Sequence, residues 1–139
     1  MQIMQIVIDT SMIFSLLLGK NVRMRDTFFD SAHIFYAPNY IIGELFEKKE
    51  KIMKCSALSE AEIYELFHRI LGKIEFVAEN FVTSEHRFQA FRLCQNVDED
   101  DIPFIALSLQ LNAVFWTGDK QLKEYLKKQG FSLFFEPKY

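Results

Sequence analysis

Short apolar runs alternate along this chain with longer stretches whose apolar residues recur at three- and four-residue spacing. Ile3 to Ile8 reads as a buried strand. Asp9-Thr10-Ser11 offers N-cap chemistry for a buried helix, Met12 to Leu18, that stops at Gly19. Arg23 to Ser31 reads as a second short helix and His33 to Tyr36 as a short strand. Pro38 and Asn39 then start a long helix to about Lys54, with Ile41, Ile42, Leu45, Phe46 and Ile52 on one face. Ser59-Glu60-Ala61-Glu62 fits a capping box for a helix to about Leu71. Ile74 to Val77 reads as a strand, and Thr83 or Ser84 caps a helix to about Gln95. Asp101 to Leu111 is a helix with Pro103 in its first turn, where proline is tolerated. Ala113 to Trp116 is a strand, Asp119 caps a helix to Lys128, Gly130 stops it, and Ser132 to Phe135 is the last strand.

Strands alternating with helices predict an α/β protein with a parallel sheet and helices on both faces, a three-layer α/β/α sandwich. The first and fourth strands are nearly all apolar, as strands covered on both sides are. In open α/β sheets, sites form outside the carboxyl ends of the strands. Asp9 follows the first strand directly, and Thr117 and Asp119 follow the fourth.

A chain of 139 residues suits one domain, and with half of them hydrophobic, 15 being Phe, it has ample material for a core. The net charge of −3 and pI near 5.6 give no global basic footprint for nucleic acid. Cys55 and Cys94 stand in no CxxC arrangement and read as thiols of a reducing cytosol. Met1 to Ile8 carries no positive charge, as a signal peptide would, and Met12 to Leu18 is too short to span a bilayer. A soluble, cytoplasmic protein without a membrane partner is expected.

Four acids at four separate places set the chemistry. They are Asp9, Glu44 beside Ile41, Ile42 and Leu45, Asp101 at the end of Asp98-Glu99-Asp100-Asp101, and Asp119 in Trp116-Thr117-Gly118-Asp119. Taken singly each has an ordinary reading: Asp9 and Asp119 as caps, Asp101 as a carboxylate favoured by a helix dipole, Glu44 as a surface residue. Setting those four aside leaves 16 basic against 15 acidic residues, a balanced surface. Brought together they repel: two unit charges ~4 Å apart cost roughly 4 kcal/mol at an effective dielectric of about 20. A cluster therefore needs a cation or raised pKa values. Mg²⁺ or Mn²⁺ prefers such oxygen ligands and supports phosphodiester hydrolysis. GxSxG, Walker A, GxGxxG and HExxH are all absent, and His33, His68 and His86 are scattered.

These blocks resemble a PIN domain, the small nuclease fold that includes VapC-type toxins of toxin–antitoxin pairs. The likeness runs through Val7-Ile8-Asp9-Thr10-Ser11, Glu44, Asp98 to Leu107, and Trp116-Thr117-Gly118-Asp119, nearly the whole chain, and the last two blocks in tandem are the most specific. It implies a five-stranded parallel sheet, a Mg²⁺ or Mn²⁺ site and endonuclease cleavage of single-stranded RNA. By the same likeness Asp9, Glu44 and Asp101 hold a first metal and Asp119 helps it or a second ion. Thr117 positions a water or ligand, and Ser11 braces Asp9. The resemblance favours Asp101 as the third ligand by its spacing to Asp119, with Asp98 in reserve, because Asp98, Glu99 and Asp100 crowd it. It further implies an antitoxin partner and a homodimer.

Two lysine groups offer phosphate contacts: Lys48, Lys49, Lys51 and Lys54 after Glu44, and Lys120, Lys123, Lys127 and Lys128 after Asp119. Lys48 and Lys120 lie nearest the acids in sequence. Solvated helix faces balanced by Glu47, Glu50 and Glu124 are the plainer reading. Phe28, Phe29, Phe81, Phe88 and Phe91 read as core or interface. A catalytically silent PIN-like interaction module and a housekeeping RNA-processing nuclease are the alternatives to a toxin. A receiver-like phosphoacceptor domain would want paired acids after the first strand and Lys-Pro after the last, whereas Asp9 stands alone and the tail reads Pro137-Lys138.

Overall fold

The computed structural model describes residues 3–137; Met1, Gln2 and Lys138 of the readings above lie outside them. At its centre is β1 (Gln5–Ile8), whose Ile6, Val7 and Ile8 are fully buried. A strand buried on both faces needs a partner on each edge and a layer on each side. On one edge it pairs in parallel with β2 (Ile34–Pro38), Ile6 opposite Phe35, and on the other with β4 (Val114–Trp116), Ile8 opposite Trp116. β3 (Ile74–Val77) pairs with β2, giving the order β3-β2-β1-β4, all parallel.

Between the strands run eight α-helices among the described residues: α1 (Thr10–Leu18), α2 (Val22–Asp30), α3 (Ile41–Glu47), α4 (Lys49–Cys55), α5 (Glu60–Lys73), α6 (Ser84–Leu93), α7 (Ile102–Leu111) and α8 (Lys120–Lys128). Strand alternation assigns them to layers. Phe35 and Trp116 share a face with Ile6 and Ile8, and Phe28 of α2 packs on Phe35, ring centres 4.6 Å apart. Phe115 shares the opposite face with Val7 and meets Phe104 of α7 at 6.1 Å. The expected α/β/α layering is therefore present. Burying each large aromatic side chain contributes about 1.5–3 kcal/mol, so the two faces, not the short ladders, carry most of the sheet's stability.

The sheet has four strands, not the expected five. Residues 132–135 lie beside β4, but only Phe134 forms a bridge, opposite Phe115. Two hydrogen bonds hold it, Phe115 N–H to the Leu133 carbonyl and Phe135 N–H to the Phe115 carbonyl. The Phe134 N–H turns back to the Ser132 carbonyl at 3.0 Å, which bends the segment out of an extended ladder.

The long helix after β2 also differs. Pro38 closes β2 opposite Val77, because the next N–H, that of Asn39, makes the bond to the Val77 carbonyl at 2.9 Å that proline cannot. The helix starts at Ile41 and bends at Lys48, where α4 turns onto α1. Hydrogen bonds continue through the bend, Lys48 N–H to Glu44 and Ile52 N–H to Lys48. Elsewhere the caps fall where the sequence puts them: Asp9, Asp119 and Thr83 accept from the N–H three residues on, and Ser59 with Glu62 completes a capping box. His33 Nδ1 accepts from the Met4 N–H and His86 Nδ1 meets Thr83 and Gln110, so both are structural. Cys55 and Cys94 are free thiols. No helix among the described residues is long and apolar enough to cross a membrane.

Gly19 ends α1 in the left-handed conformation, φ 70°. A Cβ there would stand 2.7 Å from Leu58 Cγ. Gly19→Ala should cost about 1–2 kcal/mol from the backbone alone, and displacing Leu58 adds to it. A urea unfolding curve with a lower midpoint and unchanged slope is the expected result.

Candidate metal centre

Asp9 leaves the carboxyl end of β1 with its N–H bonded to the Trp116 carbonyl at 3.1 Å, so the first ladder continues straight into the site. The residue is only 7% exposed. Its Oδ1 accepts from Ser11 Oγ at 2.7 Å and from the Met12 N–H at 2.8 Å. Ser11 thus holds the carboxylate from one side. Thr117, 3% exposed, sets its hydroxyl beside Asp9, where it favours the ionised form, and accepts from the Asp119 N–H at 3.2 Å. One buried hydroxyl therefore links the first and fourth blocks.

Asp119 is exposed, and its Oδ1 accepts from the Leu122 N–H at 3.1 Å to cap α8. Asp98 spends Oδ1 on the Asp100 N–H at 3.0 Å, capping a single 3₁₀ turn at Glu99–Asp101. Asp101 stands at the N-cap of α7 but makes no capping hydrogen bond, so its carboxylate is free for something else. Within the crowded third block this separates a backbone-bound Asp98 from an available Asp101.

Electrostatics joins three of the four acids. Burial pushes Asp9 above the usual carboxylate range, and the charge of Asp119 adds to it. Asp101 is raised to about 6, first by burial, then by the charges of Asp98, Asp9, Asp119 and Asp100. Glu44, half-buried on α3, approaches from another side: its charge falls on Tyr40, whose hydroxyl points at the Asp100 carbonyl 3.5 Å away. The Tyr40 hydroxyl is raised to about 12 by burial and by Glu44, Asp100 and Asp101. Tyr40 was not singled out from the sequence. Its position four residues before Glu44, one helical turn, was the available clue.

No lysine, arginine or histidine pairs with these acids among the described residues; the ion pairs found join Lys123 and Lys127 to Glu136. Lys48 rests over the Phe14 ring at 5.2 Å, and Lys120 lies exposed beside Asp119. The donors are hard oxygens with uncompensated repulsion, which fits a divalent cation. Among the described residues no three His, Cys, Asp or Glu side chains close into a ligand cage.

The sequence matches the PIN domain family over residues 7–129. This chain belongs to the PIN domain family. No curated protein matches it. PIN domains are in general metal-dependent nucleases that bind RNA, so a site of hard oxygen donors at the carboxyl edge of the sheet is what membership calls for. In this PIN domain charge couples the first, third and fourth acidic blocks, and the second acts with Asp100 and Asp101 on Tyr40.

Asp101 gives the PIN domain a signed pH dependence. Its folded pKa of about 6 lies above the ordinary 3.8. The metal-free folded chain therefore binds this proton more tightly than the unfolded chain. The resulting stability is full below the lower value and is lost as pH rises through the upper one. Asp101→Asn should flatten that slope and raise Tm at pH 7. For a half-exposed, solvent-screened group the gain is about 1 kcal/mol, or about 2–5 °C. Mg²⁺ should raise the wild-type Tm at pH 7, and raise that of the variant less. Thermal melts across pH 4–7 with and without Mg²⁺ check both.

Proposed function

We propose that this PIN domain is a metal-dependent endoribonuclease that hydrolyses phosphodiester bonds of single-stranded RNA, as the toxin of a toxin–antitoxin pair. The observation that carries the chemistry is the charge coupling of Asp9 and Asp101 with Asp119 at the carboxyl edge, which helps raise the Asp9 and Asp101 carboxyls, with no neutralising side chain among the described residues. In this reading Asp9, Asp101 and Asp119 hold Mg²⁺ or Mn²⁺, and Glu44 serves the same centre from α3. The bound ion supplies a polarised phosphoryl oxygen and an acidified water. Ser11 and the Met12 N–H keep Asp9 in one rotamer. The Thr117 hydroxyl fixes the spacing between Asp9 and the turn that carries Asp119. Lys120 lies where it meets an approaching phosphate.

The toxin role rests on the family likeness and on exposed apolar surface. Phe81 and Phe88 are 50% and 62% exposed, a surface suited to a protein partner, either an antitoxin or a second copy.

Cleavage of a mixed single-stranded RNA pool in Mg²⁺ or Mn²⁺ tests the reading. Asp9→Asn and Asp119→Asn should each lower the rate at least about a hundred-fold with an unchanged circular dichroism spectrum, and Ser11→Ala about ten-fold, since even groups that only orient ligands cost about 10–100-fold. Folded wild type that leaves all RNA intact in both metals refutes the nuclease reading. Growth arrest on expression, relieved by Asp9→Asn, is the expected result for a toxin; arrest that persists in that variant refutes toxicity through cleavage.

A further inference from the structure

A pocket of about 320 Å³ opens next to the acids, between the carboxyl ends of β2 and β3 and the helices α6 and α7. Its size is at the low end of the about 300–1,000 Å³ of small-molecule pockets. Val77, Val82 and Leu107 supply apolar lining. Tyr40 and Phe91 also line it and are 42% and 54% exposed, large aromatic groups presented to an occupant instead of to the core. Tyr40 is oriented, its ring edge-on to Phe104 and its hydroxyl on the Asp100 carbonyl. Since Tyr40 also feels the charges of Glu44 and Asp101, pocket and acids share one wall.

The polar groups around the pocket are equally specific. Arg87, Asn39 and Glu79 line it, all exposed, and none of the three side chains makes a hydrogen bond or ion pair with another described residue. An apolar slot with two aromatic faces, an amide and a carboxylate for polar ring edges, and an unpaired guanidinium suits a flat heteroaromatic ring with hydrogen-bonding edges, attached to a phosphate.

We propose that this pocket receives an unstacked nucleobase of the single-stranded RNA, adjacent to the bond at the acidic centre. Tyr40 and Phe91 stack on the base, Asn39 reads its edge, and Arg87 holds the neighbouring phosphate. The pocket is thereby a specificity subsite, and it rests on the nuclease reading above.

The test is the affinity of 3′-labelled single-stranded RNA pentamers for the full chain carrying Asp9→Asn, which leaves bound RNA uncut, with wild-type cleavage measured in parallel. Phe91→Ala and Arg87→Ala alter exposed side chains outside the core, so the fold is retained. Phe91→Ala should weaken binding about ten-fold or more. A pentamer lacking one base should lose as much on the parent and nothing further on Phe91→Ala, because both changes remove the same stack. Parent and pocket variants that bind every pentamer equally, while the wild type cuts RNA, overturn the subsite and leave the nuclease reading intact. A wild type that neither binds nor cuts RNA overturns both.

Discussion

Everything at the acidic edge depends on the double pairing of β1. A four-residue strand with three fully buried side chains has no freedom of register: a slip by one residue would turn Ile6 and Ile8 to the face that Val7 occupies. With Ile8 held opposite Trp116, the next N–H finds the Trp116 carbonyl, and Asp9 and Thr117 emerge side by side. The hydrophobic sandwich therefore determines which polar groups meet, although it contributes none of them.

Held there, the carboxylates are a standing electrostatic cost. The chain reduces it locally without cancelling it. Asp9, Asp98 and Asp119 each accept one backbone N–H through a carboxylate oxygen, while Asp101 accepts none and carries a pKa raised to about 6. Capping and ligand duty are not rivals: a carboxylate has two oxygens, and a cap fixes the rotamer through one of them. The same frugality explains how a chain of ordinary charge content supports a strongly acidic site.

Most elements were legible because their signals are local. Asp9, Ser59 and Asp119 cap helices that the apolar spacing had already outlined, and β1 and β4 stand out as unbroken apolar runs. The fifth strand misled because Ser132 to Phe135 has strand composition, but its pairing is decided by how far the bridge to Phe115 extends. The bend at Lys48 was equally hidden, for it follows from the docking of α4 on α1, a tertiary contact. At the site, the acids were readable as residues out of place at apolar edges. Asp98 and Asp101 differ in that the backbone holds one carboxylate and not the other, a difference visible only in the fold. Tyr40 carries no charge and sits before a helix, so its one-turn spacing to Glu44 is a faint mark, and the fold sets it between Glu44 and Asp100.

The pairing of Ile6 with Val114 joins residues at opposite ends of the chain. Contacts this distant in sequence form late, after the loop-closure entropy of everything between them has been overcome. During synthesis β1 waits without its second neighbour until β4 has left the ribosome. Asp9 and Asp119 consequently come together only after β4 and the turn behind it have been made, and every shorter nascent chain carries the acids dispersed.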